Sequence, residues 1–477
     1  MNGLIAPNPW MILPFALLLG AIALGPLLAP QWWGRHYPKV AYALGAITLV
    51  YYLAGLGAYG RVMHAAEEYI SFIVLIGSLY VVSGGILVSV KGESTPFENV
   101  VFLLVGALLA NVLGTTGASM LLIRPWIRMN HYRITSHHIV FFIFIVANVG
   151  GCLTPIGDPP LFLGYLRGIP FWWVAETCWP MWATGLGILL VMFYAVDRLN
   201  YLKAPKPVRE RLAEPPDTWR FEGWSNVFFL GMILGAVFIQ KPLFLREAIM
   251  GAAAIGSYYT TKKHIHEANH FNFHPIQEVA ILFIGIFATM MPALDWLQGN
   301  AAKLGTPSPG WFYWSSGSLS AMLDNAPTYL TFLTASFGMF ISPDLIAQVQ
   351  QIVAAGGTFD PGGLNGLQAE EIRQTLLALQ KYHSDWVAAK SVSTEQVQVA
   401  YMLGNAKYSA YVVAVSVGAV FFGACTYIGN GPNFMVKSIA EHRKVATPNF
   451  IAYVAKYSVP FMLPMLALVW WLFFRSR

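Results

Sequence analysis

Asn148-Val149-Gly150-Gly151-Cys152-Leu153-Thr154-Pro155-Ile156-Gly157-Asp158-Pro159-Pro160 interrupts an apolar run that starts near Ile139 and resumes at Leu161. Its three glycines and three prolines cannot continue a helix. A carboxylate this deep in apolar sequence is costly and marks a functional position. A helix broken at the middle of a membrane frees backbone amides and carbonyls, and these suit an ion or a polar substrate. The stretch also recurs. Gly423 to Met435 aligns with Gly151 to Leu163 at an offset of 272, with Gly, Thr, Ile, Gly, Pro and Phe identical. Two broken helices, one in each half of a chain, are the sequence signature of a transporter's central site.

Working outward, the 477 residues are 56% hydrophobic and 11% charged, where a soluble protein carries roughly 25% charged residues. The chain is therefore expected to be an all-α polytopic membrane protein. Its net charge of +6 needs no nucleic acid, because basic cytoplasmic loops account for it. Cys152, Cys178 and Cys425 lie in apolar segments and fit neither a disulfide framework nor a zinc spacing. No Lys or Arg precedes the apolar run from Trp10, so that run reads as a retained span and not as a cleaved signal.

Apolar segments of spanning length fall near 10–30, 40–60, 66–90, 137–163, 171–196, 224–240, 244–260, 276–296, 407–436 and 449–474, which predicts about ten transmembrane helices. Two further segments break the template. Residues 97–123 are interrupted by Gly114-Thr115-Thr116-Gly117, and residues 311–340 by Asp324-Asn325-Ala326-Pro327. Each is too short for two crossings and too interrupted for one. A re-entrant hairpin with its tip at mid-membrane explains both. Basic residues favour this over broken spans: with both hairpins re-entrant, 18 of the 29 Lys and Arg fall on one side, which the positive-inside rule makes cytoplasmic.

The halves then align. Glu68 pairs with Glu278, and Gly114-Thr115-Thr116 with Asp324-Asn325-Ala326, at an offset of 210. The later offset of 272 leaves an insertion in the second half, matching the polar stretch 342–404, expected to be helical and outside the membrane. The expected organisation is a first repeat over 1–196 (hairpin 97–123, broken helix 137–163) and a cytoplasmic linker over 197–223. A second repeat over 224–477 holds hairpin 311–340, insertion 342–404 and broken helix 407–436. Five crossings per repeat is odd, so the second repeat is inverted, the parity of alternating-access transporters.

Ala110 to Ser119, Asn148 to Asp158, Ser320 to Pro327 and Thr426 to Phe434 together resemble the ion-transporter superfamily. Within it they are most similar to the D-type sodium/proton antiporters and the citrate transporters related to them. The resemblance covers nearly the whole chain apart from 342–404. It implies a scaffold domain, a mobile transport domain and a homodimer, as a multi-pass protein of the bacterial inner (plasma) membrane. The tips here differ from the Ser-Asn-Thr that sodium-coupled dicarboxylate members carry.

Asp158 and Asp324 are the informative pair. Two desolvated carboxylates near one site repel each other and repel an anion, so sodium or protons must offset them. Thr115, Thr116, Thr154, Asn325, Thr426 and Asn430 offer further oxygens for a hard cation, and carbonyls near Gly157 and Gly429 could join them. Asn111, Asn148 and Asn433 are further candidates, and helix capping is the alternative role for the Thr and Asn residues. Glu68 and Glu278 are expected to cap helix N-termini. Arg124, Arg128, His131 and Arg133 read as an interfacial anchor, with an anion funnel as the sharper idea. His264, His266, His270 and His274 read as a solvated loop. No organic cofactor is expected; the ligands are sodium and protons, with a carboxylate as a further candidate. The function predicted first is sodium/proton antiport. Cation- or proton-coupled citrate transport comes next, then arsenite efflux. An intramembrane aspartyl protease is the remote alternative, since Pro155 stands where the first glycine of Gly-x-Gly-Asp belongs. Apart from that rival, nothing in the sequence suggests an enzyme.

Overall fold

The computed structural model describes residues 5–89, 94–203, 220–239, 241–305, 307–356 and 366–475. Most of the linker expected over 197–223 and the glycine-rich centre of the insertion lie outside these residues. The described chain is helical apart from two three-residue strands, β1 (Leu87–Ser89) and β2 (Arg220–Glu222), paired antiparallel with Val88 opposite Phe221. Strands this short have no apolar run of their own to announce them.

One group of helices comprises α1 (Leu13–Leu28), α2 (Pro30–Val50), α3 (Tyr59–Gly84), α8 (Trp224–Val237), α9 (Leu245–Thr260) and α11 (His274–Asn300). It packs through stacked rings such as Phe72 on Phe283, and through Gly45 and Gly285, which let α2 and α11 approach closely. The short helix α10 (Lys263–Ala268) joins α9 to α11 and carries two of the histidines expected in a loop.

The second group holds the breaks. The helix α4 (Pro96–Met129) turns back on itself at Gly114, whose φ of 73° is open to glycine and strained for other residues. Its arms pair about that apex. Phe102 stacks on Trp126 with centroids 5.5 Å apart. Asn99 and Asn130 exchange amide hydrogen bonds of 2.8 and 3.0 Å. At the open end a buried Asp197 accepts from Asn99 and pairs with Arg133 and His138. That carboxylate lies on α7 (Phe171–Lys203), so the hairpin base is tied to α7 by charge. The second hairpin joins α12 (Pro309–Met322) to α13 (Asn325–Phe340), with Trp311 and Phe312 against Phe332 at 6.2 and 5.8 Å. The first broken helix is α5 (Ser136–Ile145) and α6 (Pro159–Leu166); the second is α18 (Ala406–Gly423) and α19 (Gly431–His442). The last helix, α20, spans Phe450–Phe473.

Among the described residues seven helices are long and apolar enough to cross a bilayer, or eight if α13 is joined to α14 (Pro343–Ala354), from which it is bent by 84°. This all-α polytopic architecture agrees with the sequence reading, but the count falls short of ten for identifiable reasons. The spans expected near 224–240 and 244–260 are helices of 14 and 16 residues. The span expected near 40–60 is α2, which starts earlier and carries Arg35 and Lys39. The stretch 137–163 is broken, and Pro96–Met129 qualifies by length although it is a hairpin. The insertion is helical as expected: α14, α15 (Gly366–Tyr382), α16 (Ser384–Ala388) and α17 (Thr394–Gly404).

Candidate functional site

Asp158 is the residue at which the breaks meet. Pro159 and Pro160 open α6, their fixed φ favouring the first helical turn. Asp158 before them is extended, with φ −141° and ψ 142°. Its side chain is fully buried and does not cap its own helix. Instead Oδ1 accepts from Thr115 Oγ1 at 2.8 Å and from Asn430 Nδ2 at 2.9 Å, while Oδ2 accepts from Asn325 Nδ2 at 2.6 Å. Thr115 begins the second arm of α4, Asn325 begins α13, and Asn430 is the residue before α19. Side chains at the N-terminal ends of three half-helices therefore hydrogen-bond one carboxylate, which itself stands at the N-terminus of a fourth. Each end carries about +0.5 of a charge, so together they offset the cost of burying Asp158 and its neighbour Asp324.

Around this centre Asn148 and Asn433 tie one broken helix to the other. Asn148 Nδ2 donates to Asn433 Oδ1 at 2.6 Å, and Asn430 Nδ2 lies 3.2 Å from Asn148 Oδ1. Asn433 Nδ2 in turn holds the carbonyls of Gly423 and Thr426, at 2.8 and 2.9 Å.

Thr154 and Thr426 act as braces. Thr154 Oγ1 donates to Asn111 O at 2.6 Å and accepts from Gly157 N at 3.0 Å. At the matching position Thr426 Oγ1 donates to Ala321 O at 2.6 Å and accepts from Gly429 N at 3.1 Å. The acceptors, Asn111 and Ala321, differ by 210, and the threonines by 272. The offsets read from sequence thus reappear as the same pair of hydrogen bonds in both halves. Gly157 and Gly429 also match, since an added Cβ would sit 2.1 Å from Gly151 O and 2.6 Å from Gly423 O. Thr115 N donates to Gly157 O at 2.7 Å, fastening the hairpin tip to the broken helix.

Asp324 does not join the ring around Asp158. It caps α13, with Oδ1 accepting from Ala326 N at 3.0 Å. Thr116 is half-buried and lines a cavity of about 20 Å³ with Leu75, Leu79, Gly117, Gly157 and Phe162. That volume admits about one water-sized species. The residues meeting at the breaks include two carboxylates and no Lys or Arg.

A second charged cluster escaped the sequence reading. Glu68 lies in the third turn of α3 and not at its N-terminus, so it caps nothing. Arg167 Nε sits 2.7 Å from Glu68 Oε1, and Arg167 Nη1 donates to Glu395 of α17 at 2.8 Å. His64 reaches the same Glu395 carboxylate at 3.1 Å. Burial alone would push the Glu395 carboxyl up, but Arg167 and His64 more than offset this and hold it well below the usual carboxylate range. One arginine thus joins α3, the segment after α6 and the insertion. The sequence signal was a lone Arg167 just after a broken helix, with partners too distant to be read. Glu278 lies in the second turn of α11, whose first turn holds no acidic residue and whose N-terminus has no side-chain cap, so it does not cap that helix either.

A family model described as "Putative citrate transport" matches residues 6–474. No curated protein matches the chain at a significant level.

Proposed function

The chain belongs to this putative citrate transport family, and from that premise we propose that it is a secondary transporter carrying a carboxylate such as citrate, coupled to sodium or protons. The observation that carries the reading is the convergence of four half-helix N-termini at Asp158. Such ends attract a carboxylate without any arginine. Asp158 and Asp324 oppose the same anion, so substrate and cation must enter together, which is the physical basis of coupling. The binding set on this reading is Asp158, Thr115, Asn325, Asn430 and Asn148 at the centre. Asp324, Thr116 and Asn433 stand beside it, and Thr154, Gly157, Thr426 and Gly429 hold the breaks open. Alternating access would move the hairpins and broken helices against the group built on α3 and α11, with repeats over 1–196 and 224–477.

The small cavity favours a second reading, sodium/proton exchange. About 20 Å³ fits a cation and excludes a tricarboxylate unless the hairpin tip parts from α3. Purified protein in proteoliposomes separates the two. Labelled citrate should accumulate under an imposed sodium or proton gradient and not without one. If citrate stays outside while added sodium shifts the lumenal pH, the carboxylate reading is wrong and exchange takes its place.

A further inference from the structure

The basic run after the first hairpin has a partner the sequence did not reveal. Arg124, on the second arm of α4, lies within electrostatic reach of Arg443, just past α19, and of His270, between α10 and α11. Arg443 Nη2 is 3.4 Å from His270 Nε2, and His442 completes the group. Among the described residues no carboxylate pairs with either arginine; the adjacent Glu441 is held by Lys437 at 3.0 Å and by Thr447 at 2.7 Å. Arg124 Nε is buried with no hydrogen-bond partner. The uncompensated positive charge of Arg124 and Arg443, brought together from two elements, raises the local concentration of an anion.

The cluster also stands at the end of a line to the central site. The second arm of α4 begins at Thr115 and reaches Arg124 nine residues on, roughly 14 Å; α19 begins beside Asn430 and ends at His442, roughly 18 Å away. Gly117 and Arg124 are two turns apart and share a face of the arm. That face lies against α3, where an added Cβ on Gly117 would meet Ser83 Oγ at 2.5 Å. Ser83 Oγ, on a residue 1% exposed, has no hydrogen-bond partner either. The small cavity at Thr116 and Gly117 opens on the same boundary.

We propose that Arg124 and Arg443, with His270 and His442, form a second anion site at the mouth of the boundary between α3 and α4, which takes a multivalent carboxylate on its way to or from Thr115. The proposal rests on the carboxylate reading above. It is tested by equilibrium binding of labelled citrate to the full chain in phosphatidylcholine nanodiscs, at low and high salt. The expected result is two classes of binding, the weaker one salt-sensitive. That class should survive Asp158→Asn and weaken roughly tenfold in Arg124→Gln/Arg443→Gln, while Lys263→Gln leaves it unchanged. Arg443→Gln alone, at an exposed position, serves if the double variant does not fold. A salt-sensitive class indifferent to the arginines, or no such class, overturns the proposal. So does a result in which the arginines govern only competition by phosphatidylglycerol added to the discs, since that assigns them to lipid headgroups. Salt-sensitive binding without citrate uptake would sink the transport reading and leave the site. Uptake without that binding does the reverse.

Discussion

Exchanging Asp158 for Asn removes a charge from the centre while keeping its shape, and the hydrogen bonds indicate how the fold will respond. Three donors, from Thr115, Asn430 and Asn325, end on this carboxylate at 2.8, 2.9 and 2.6 Å. The new amide keeps an oxygen for Thr115 and Asn430 but turns an NH2 group toward Asn325. Asn325 Oδ1 is buried with no partner of its own, so rotating that amide by half a turn makes it the acceptor. Each bond to a charged acceptor is worth about 1.5–3 kcal/mol and its neutral successor about 0.5–1.5, a loss of about 3–4 kcal/mol over three bonds. Removing a desolvated charge returns several kcal/mol. Asp158→Asn is therefore expected to unfold within about 2 kcal/mol of the parent. Asp158→Ala instead leaves the Thr115 hydroxyl and the Asn325 amide without an acceptor, at about 1–3 kcal/mol each, and leaves Asn430 Nδ2 only its 3.2 Å bonds to Ala147 O and Asn148 Oδ1, so it should be much less stable. Thermal unfolding in detergent gives this order, and cation-driven citrate uptake in proteoliposomes gives the function, which both variants should lose. Wild-type uptake by Asp158→Asn, with its cation dependence intact, would refute Asp158 as the coupling group.

Other expectations follow from the same geometry. Gly157→Ala and Gly429→Ala should lower the yield of folded protein sharply, because a Cβ would stand 2.1 and 2.6 Å from a carbonyl oxygen, whereas Gly20→Ala, with open space around it, should not. Glu395→Gln strips Arg167 of one of its two carboxylates. Arg167 keeps Glu68, so the loss is that of a charge-assisted hydrogen bond, about 1.5–3 kcal/mol, seen as a lowered unfolding temperature at pH 7. A carboxyl held low in the fold contributes stability above its unfolded value, about 4.3, and loses it as pH falls below that. The parent should therefore weaken from pH 5 to 3 more steeply than Glu395→Gln, and parallel curves would disprove the contribution. A cysteine replacing Ser391 should react with an impermeant thiol reagent outside intact cells, while one at Lys206, outside the described residues, should not; the opposite pattern overturns the proposed orientation.

Where sequence and structure agree, the sequence violated a simple template. Glycines, prolines and a carboxylate cannot sit in an ordinary span, so Asn148 to Pro160 and the two tips announced themselves. The offsets of 210 and 272 were legible because both copies must satisfy the same backbone demand, a threonine bracing a glycine turn. Contacts set by distant partners were not legible. Glu68 looked like a cap because Arg167 lies 99 residues away, and Arg167 in turn lies 228 residues from Glu395. The bracing role of Thr154 and Thr426 was not legible either, because nothing local shows that a hairpin arm offers each a carbonyl. The helices at 224–240 and 244–260 are shorter than the apolar runs suggested, 14 and 16 residues, because the chain between Val237 and Leu245, around Lys241-Pro242, belongs to neither.

The repeats differ where they touch. Asp158 and Asn430 occupy matching positions, 272 apart, yet one is charged and the other is not, and they lie 2.9 Å from each other. Two carboxylates at that spacing would repel by about 6 kcal/mol at an effective dielectric of about 20. An Asn at one position turns the repulsion into a hydrogen bond and still leaves a single charge for the cation to balance. Asn430→Asp should undo this. The variant is expected to be less stable than the parent at pH 8. It should recover at pH 5, where one proton shared across the pair removes the repulsion, or on adding sodium at pH 8, where the ion does the same. Its citrate uptake should shift toward acid pH relative to the parent. Unfolding temperatures measured at both pH values, with and without sodium, decide the matter. If Asn430→Asp matches the parent at pH 8 without sodium, the two side chains do not face each other at hydrogen-bonding distance, and the central site must be built differently.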